Sequence, residues 1–338
     1  MPLAEVIPVA RRPADGRAGL PADLLGAEQP VVLEGFVAHW PLVRAGMASA
    51  DAALELLASH YRDATVNAVY TEPEAKGRIF YNEDFTGFNF EARRVPLDRV
   101  MTELAEQLSE AEPPGIYVGS TTIDACLPGF RAENDVDLGR PDALASIWIC
   151  NRSRVAAHFD LPDNLACNAV GHRRFTLFPP EQVANLYPGP LDFNPAGQAI
   201  SLVDFAEPDE ARFPRFREAM AHALVAELGP GDALYIPGLW WHHVEGLDAL
   251  NVLVNYWWRT VPAWMDSPLA VVDYALLAIR GLPARDRRAW KSLFEHFVFD
   301  EGEEAAAQVP RAQRGALGGL DEASARQLRA RLRNRLNR

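Results

Sequence analysis

Two separated stretches govern how this chain is read: His158-Phe159-Asp160 and, far downstream, Trp240-Trp241-His242-His243. Residues two apart on a β-strand face the same way. His158 and Asp160 can therefore aim an imidazole and a carboxylate at one point while Phe159 turns aside. A histidine from the second stretch would complete a set of two histidines and one carboxylate, which grips one face of an iron(II) ion and leaves positions open for substrate and oxygen. If residues 237–239 bulge after the strand ending at Ile236, either His242 or His243 can point inward, so this choice stays open on register alone.

Around these stretches the chain reads as short strands split by turns, the texture of a sandwich or barrel. Strands are expected over 155–159, 165–170, 173–178, 233–236 and 251–258. Gly171-His172 has the form of a two-residue type II′ loop, which predicts a hairpin joining 165–170 to 173–178. That hairpin would set Arg173 beside the ligand strand, where its guanidinium can pair bidentately with a carboxylate of an anionic co-substrate. Tyr117, Asn164 and Asn255 are polar groups on apolar strands or at their edges. Buried polar groups need partners, and a bound small molecule, a bulge or a turn would each serve.

Towards the N-terminus, strands are expected at 30–35, 65–70, 115–119 and 146–150, and helices at 51–60, with Asp51 as N-cap, and at 96–108. His39 reads as a packed residue. Residues 216–224 read as helical. Loops at 77–95, 124–145 and 181–215 are expected to line a cleft. Beyond Pro262 the period turns helical, over 268–279, 285–297 and the Arg-rich 321–336. Two domains are expected: 1–262, mainly β with flanking helices, and a helical 263–338.

The 338 residues are enough for one large domain with an appendage. A net charge of −13 predicts a surface that repels nucleic acid and anionic membranes. The charge is uneven: residues 311–338 hold eight arginines against Asp321 and Glu322, read here as a solvated helix face. Three cysteines without a CxxC spacing argue against a disulfide framework or a zinc ribbon and read as buried thiols. No signal-peptide or membrane-spanning run is present, so a soluble, cytoplasmic protein is expected.

The segments HFDLPDNLACNAVGHRRFTLFPPEQ (158–182) and LGPGDALYIPGLWWHHVEGL (228–247) resemble the cupin-like JmjC family of iron(II)/2-oxoglutarate oxygenases, nearest to its branch of asparaginyl hydroxylases acting on hypoxia-inducible factor. The likeness runs from about residue 28 to about 260. Its motifs occur in family order: the ligands, Gly171-His172-Arg173-Arg174, Phe178-Pro179-Pro180, Leu186-Tyr187-Pro188 and Gly229-Pro230-Gly231-Asp232. The resemblance implies a double-stranded β-helix, or jelly roll, with His158, Asp160 and His242 binding Fe(II). It also implies Arg173 and Tyr117 on the distal carboxylate of 2-oxoglutarate, and Asn164 and Asn255 near co-substrate and metal.

Two departures stand out. Arg173 occupies the usual place of a lysine. Val155 replaces a frequent threonine, which removes one hydrogen bond worth about 0.5–1.5 kcal/mol. The implied reaction consumes O2 and 2-oxoglutarate to hydroxylate a protein side chain or a small molecule. A non-catalytic cupin-like module binding a metal or small ligand is the alternative. The C-terminal helices are similar in position to the family's dimerising helices, which implies a homodimer through 266–300.

Overall fold

Strands that alternate two apolar faces need cover on both sides, and that requirement organises the N-terminal part of the chain. The computed structural model describes residues 7–140, 142–195, 197–299 and 303–337. Residues 1–6 and Pro141 of the 124–145 loop lie outside the described residues. Contacts divide the chain into a unit ending at Thr260 and a unit beginning at Val261.

The first unit opens with β1 (Ile7–Pro8), β2 (Ala10–Pro13), β3 (Val31–Glu34), α1 (Pro41–Ala48) and α2 (Ala50–His60). It continues through β4 (Thr65–Thr71), β5 (Arg78–Ile79), β6 (Phe90–Pro96), α3 (Leu97–Glu106), β7 (Gly115–Thr122) and the single turn α4 (Ile123–Cys126). Then come β8 (Leu144–Cys150), β9 (Ser153–Phe159), β10 (Asp163–Val170) and β11 (Arg173–Phe178). After a long excursion follow α5 (Phe216–Ala221), β12 (Leu224–Leu228), β13 (Ala233–Ile236), β14 (Trp241–Gly246) and β15 (Asn251–Trp258).

The strands form two sheets. One runs β1-β12-β11-β14-β9-β5; the other runs β2-β3-β13-β10-β15-β8-β7-β4-β6. Phe175, Leu177, Val244, Ala166, Leu234 and Leu253 pack between them. The outer face of the larger sheet, with Ile147, Leu165, Val252 and Val254, is covered by Leu42, Leu57, Val100 and Leu104 of the first three helices. The outer face of the smaller sheet packs Ala157, Phe178 and Trp241 against Leu186, Val203 and Phe216 of the excursion and α5. This is a jelly roll with flanking helices, as the family resemblance implies. The larger sheet ends on β2 and on β6, and the Glu91, Arg93 and Arg94 side chains of β6 are exposed.

Three local expectations need correction. The expected hairpin at Gly171-His172 is absent, because β10 pairs with β13 and β15 while β11 pairs with β12 and β14. Gly171 does have a positive φ of 73°, but it turns a corner between sheets. Asn168 ties the corner by donating to Gly171 O at 2.7 Å. Asp248, on the β14–β15 turn, accepts from His172 N at 2.8 Å. A loop signal reports a local dihedral and does not name the strand's partner.

The cap of α2 is Ser49, whose Oγ accepts from Ala52 N at 3.0 Å, rather than Asp51. The helix expected over 216–224 stops at Ala221, and Leu224–Leu228 is a strand because β11 offers it a full ladder. The 124–145 loop divides: Leu127, Phe130, Val136 and Leu138 reach into the core under the helices, while Arg131, Asp135, Asp137 and Arg140 line a pocket beside Tyr256. The helix α1 was not anticipated at all; its Pro41 supplies a preset first-turn φ at N1.

The second unit holds α6 (Pro268–Ala278), α7 (Ala284–Phe294) and α8 (Glu322–Leu336). No residue of α6 or α7 is buried. Arg329 of α8 pairs with Asp266 at 2.9 Å. Among the described residues, no helix is long and apolar enough to cross a membrane.

Candidate metal centre

Strands β9 and β14 run antiparallel side by side, with His158 directly opposite His242. Between that pair and Val155–Val244, β9 has two residues, Ala156 and Ala157, against the single His243 of β14. This is a β-bulge, which re-aims side chains beyond simple alternation. It leaves Val155, His158 and Asp160 to one side while Ala157 and Phe159 join the outer cluster.

One ligand atom from each of His158, Asp160 and His242 lies within 4.8 Å of the others. The two imidazole centroids are 4.4 Å apart, and His242 Nε2 lies 3.7 Å from an Asp160 oxygen. Each histidine has its tautomer fixed by the backbone. His158 Nδ1 lies 3.0 Å from Ala156 O, and His242 Nδ1 lies 3.0 Å from Trp240 O. A carbonyl can only accept, so both Nδ1 atoms donate and both Nε2 atoms present lone pairs. Burial, with His158 adding to it, holds the His242 imidazole down at about 4 against the pull of Asp160. It is neutral, the form that binds metals. Asp160 is held from two sides: Trp257 Nε1 donates to its Oδ2 at 3.1 Å, and its backbone O accepts from Leu239 N at 2.7 Å.

The choice between adjacent histidines follows from the same register. His243 turns outward and stacks on Phe205, centroids 4.4 Å apart. Burial, then Arg154, pushes its imidazole down to about 3. Trp240 belongs to the core between the sheets, whereas Trp241 packs on Phe159 in the outer cluster.

Arg173 is 3% exposed. It is on β11, whose neighbour is β14 and not the His158 strand, but it shares the inner face with His242, the residue opposite Leu177. Four residues separate Leu177 from Arg173, about 13 Å of strand. The guanidinium has no carboxylate partner among the described residues: Nη2 approaches Cys150 Sγ at 3.8 Å, and Nε is buried without a bond. A buried, unpaired cation costs several kcal/mol, roughly, so the site calls for an anion. Tyr117 stands opposite Cys150 on β7, and burial raises its phenol, which keeps the hydroxyl protonated and able to donate.

The two asparagines divide. Asn255 accepts from Trp148 Nε1 at 2.7 Å and donates to Asn164 Oδ1 at 3.2 Å, so its amide is already met inside the protein. Its part is to orient Asn164. Sequence reasoning had not singled out Trp257, Trp148 or Cys150. Alternation could have flagged all three, since Trp257 follows Asn255 by two, and Ser146, Trp148 and Cys150 share one face of β8.

Residues 18–263 match the model of the cupin-like domain family, so the chain belongs to that family. It is 36% identical to human HSPB1-associated protein 1 over 124 residues, 35% of this chain and 24% of that protein. It is 26% identical to lysine-specific demethylase 8 of Xenopus tropicalis over 233 residues, covering 68% of this chain and 48% of the relative. The Jumonji C domain-containing protein 5 of Drosophila melanogaster is 26% identical over 234 residues, 69% and 55% of the two chains. The chain thus spans from about a quarter to about half the length of these relatives. They agree with the JmjC resemblance carried by its motifs.

Proposed function

We propose that this cupin-like family member is an iron(II)- and 2-oxoglutarate-dependent hydroxylase. The observation carrying the reading is one inner face holding both a convergent His158–Asp160–His242 set and, about 13 Å along the sheet, the buried Arg173 without an anion. Iron(II) with 2-oxoglutarate would supply the oxidising chemistry, in which a substrate C–H, O2 and 2-oxoglutarate become C–OH, succinate and CO2.

The chain's own residues set the conditions for it. His158 and His242 would offer Nε2, and Asp160 one oxygen, with Trp257 holding the carboxylate in place. Arg173 would take the distal carboxylate, with Tyr117 as a hydrogen-bond donor beside it and Asn164, oriented by Asn255, nearer the metal. The apolar residues between the sheets keep bulk water from this face.

The substrate is a protein side chain or a small molecule. Two relatives bear the name lysine-specific demethylase, which favours a protein side chain. Hydroxylation of an N-methyl carbon would lead to demethylation by the same chemistry.

The test is anaerobic calorimetry of iron(II) and 2-oxoglutarate binding, followed by mass-spectrometric search for a +16 product in protein and metabolite pools. His158→Ala is expected to lose the metal and 2-oxoglutarate together. Metal binding without 2-oxoglutarate binding would overturn the reading in favour of a non-catalytic module.

A further inference from the structure

The three cysteines look alike in sequence but meet different surroundings. All are free and buried. Cys126 and Cys167 lie in the apolar core under the helices, where burial pushes both thiols up. Cys150 instead faces inward at the end of β8, with Arg173 Nη2 at 3.8 Å and Ser153 Oγ at 3.5 Å from its sulfur. Arg173 is itself buried, with Nε unsatisfied. A cation and a hydroxyl around one sulfur favour any form of it that carries a negative oxygen.

We infer that Cys150 is a peroxide-modification site, whose oxidised sulfur occupies the anion-binding place of Arg173. In the step, the thiol sulfur attacks hydrogen peroxide. An S–O bond forms, the O–O bond breaks, and the second peroxide oxygen leaves as water carrying the thiol proton. Sulfur is oxidised by two electrons and peroxide is reduced, giving a sulfenic acid that thiols can reverse. The new oxygen lies within reach of Arg173 Nη2 and Ser153 Oγ, so the guanidinium gains an internal partner in place of a bound carboxylate. The effect on co-substrate rests on the hydroxylase reading above; the site-selective oxidation does not.

The test uses the full chain loaded with zinc(II), which cannot drive metal-catalysed oxidation. It is treated with a few equivalents of hydrogen peroxide, trapped with dimedone and mapped by peptide mass. Dimedone is expected on Cys150 in excess of Cys126 and Cys167 by about ten-fold or more. In parallel, 2-oxoglutarate affinity is expected to fall by about ten-fold or more on oxidation, with zinc content unchanged and dithiothreitol restoring binding. Cys150→Ser, compared with its own untreated sample, is expected to show no such fall. The restoration on unmutated protein serves if that variant does not fold. Equal labelling of the three cysteines, or labelled Cys150 with unchanged affinity, would overturn the inference. Failure to bind 2-oxoglutarate before any peroxide would count against the hydroxylase reading, while the labelling pattern still judges the cysteine.

Discussion

Trp257 shows how much of the centre depends on single atoms. Its indole N–H is the donor that fixes Asp160, and its ring stands edge-on to Trp148, centroids 5.8 Å apart. Trp257→Phe keeps most of the ring and deletes the donor. Metal affinity is expected to drop by about 10- to 100-fold with the fold retained, as equilibrium dialysis against iron(II) would show; unchanged affinity would remove Trp257 from the centre. Val155, half-buried against the core between the sheets, gives a prediction of opposite sign. Val155→Thr adds the hydroxyl that the family resemblance implies at this position and is expected to tighten 2-oxoglutarate by about 2- to 12-fold in calorimetry, the equivalent of one hydrogen bond. At this scale the sequence was most legible where side chains carry the chemistry. His158, Asp160 and Arg173 could be named from residue type and spacing. The decision between His242 and His243 could not be reached from spacing, because it depends on a bulge in a partner strand 80-odd residues away.

Elements were legible where periodicity is local and lost where a partner decides. The strands at 146–150, 155–159 and 251–258 are found close to their expected bounds. The strand Leu224–Leu228 was hidden because a short, mostly apolar segment, here interrupted by Glu227, extends a helix as readily as it pairs with a sheet. The Gly171 corner is similar: the glycine takes a positive φ, but the type II′ hairpin expected there does not form. It also makes a sharp test. An added Cβ at Gly171 would lie 2.5 Å from Leu250 O and 2.6 Å from Asn251 Oδ1, at a φ that side chains rarely adopt. Gly171→Ala is expected to destabilise the chain by about 1–3 kcal/mol or more in urea unfolding, with β11 and Arg173 displaced. By contrast, Ser49→Ala at the α2 cap is expected to cost about 1 kcal/mol and leave 2-oxoglutarate binding unchanged, since that helix lies on the far side of the larger sheet.

For the whole molecule, we propose a homodimer formed through residues 266–300. The support is the surface of α6 and α7: Val271, Leu277, Trp290 and Leu293 are among the exposed large side chains there, Leu277 at 78%. An apolar face of this extent is normally covered by a partner. Light scattering at micromolar concentration is expected to give twice the 37.3 kDa chain mass, and Leu277→Asp with Trp290→Glu to return the monomer mass; a monomer for the unmutated chain would sink the proposal. If helices pair the two copies, the sheets must not. One of the two ends of the larger sheet is β6, where Glu91, Arg93 and Arg94 project into solvent and Pro96 withholds a backbone donor. Covering these charges with another strand costs their hydration and a proline leaves a gap in the ladder, so strand addition is opposed at this end of the sheet. The concentration limit of this protein in storage should thus be set by its helical surface, with β6 acting as a stop at its end of the nine-stranded sheet.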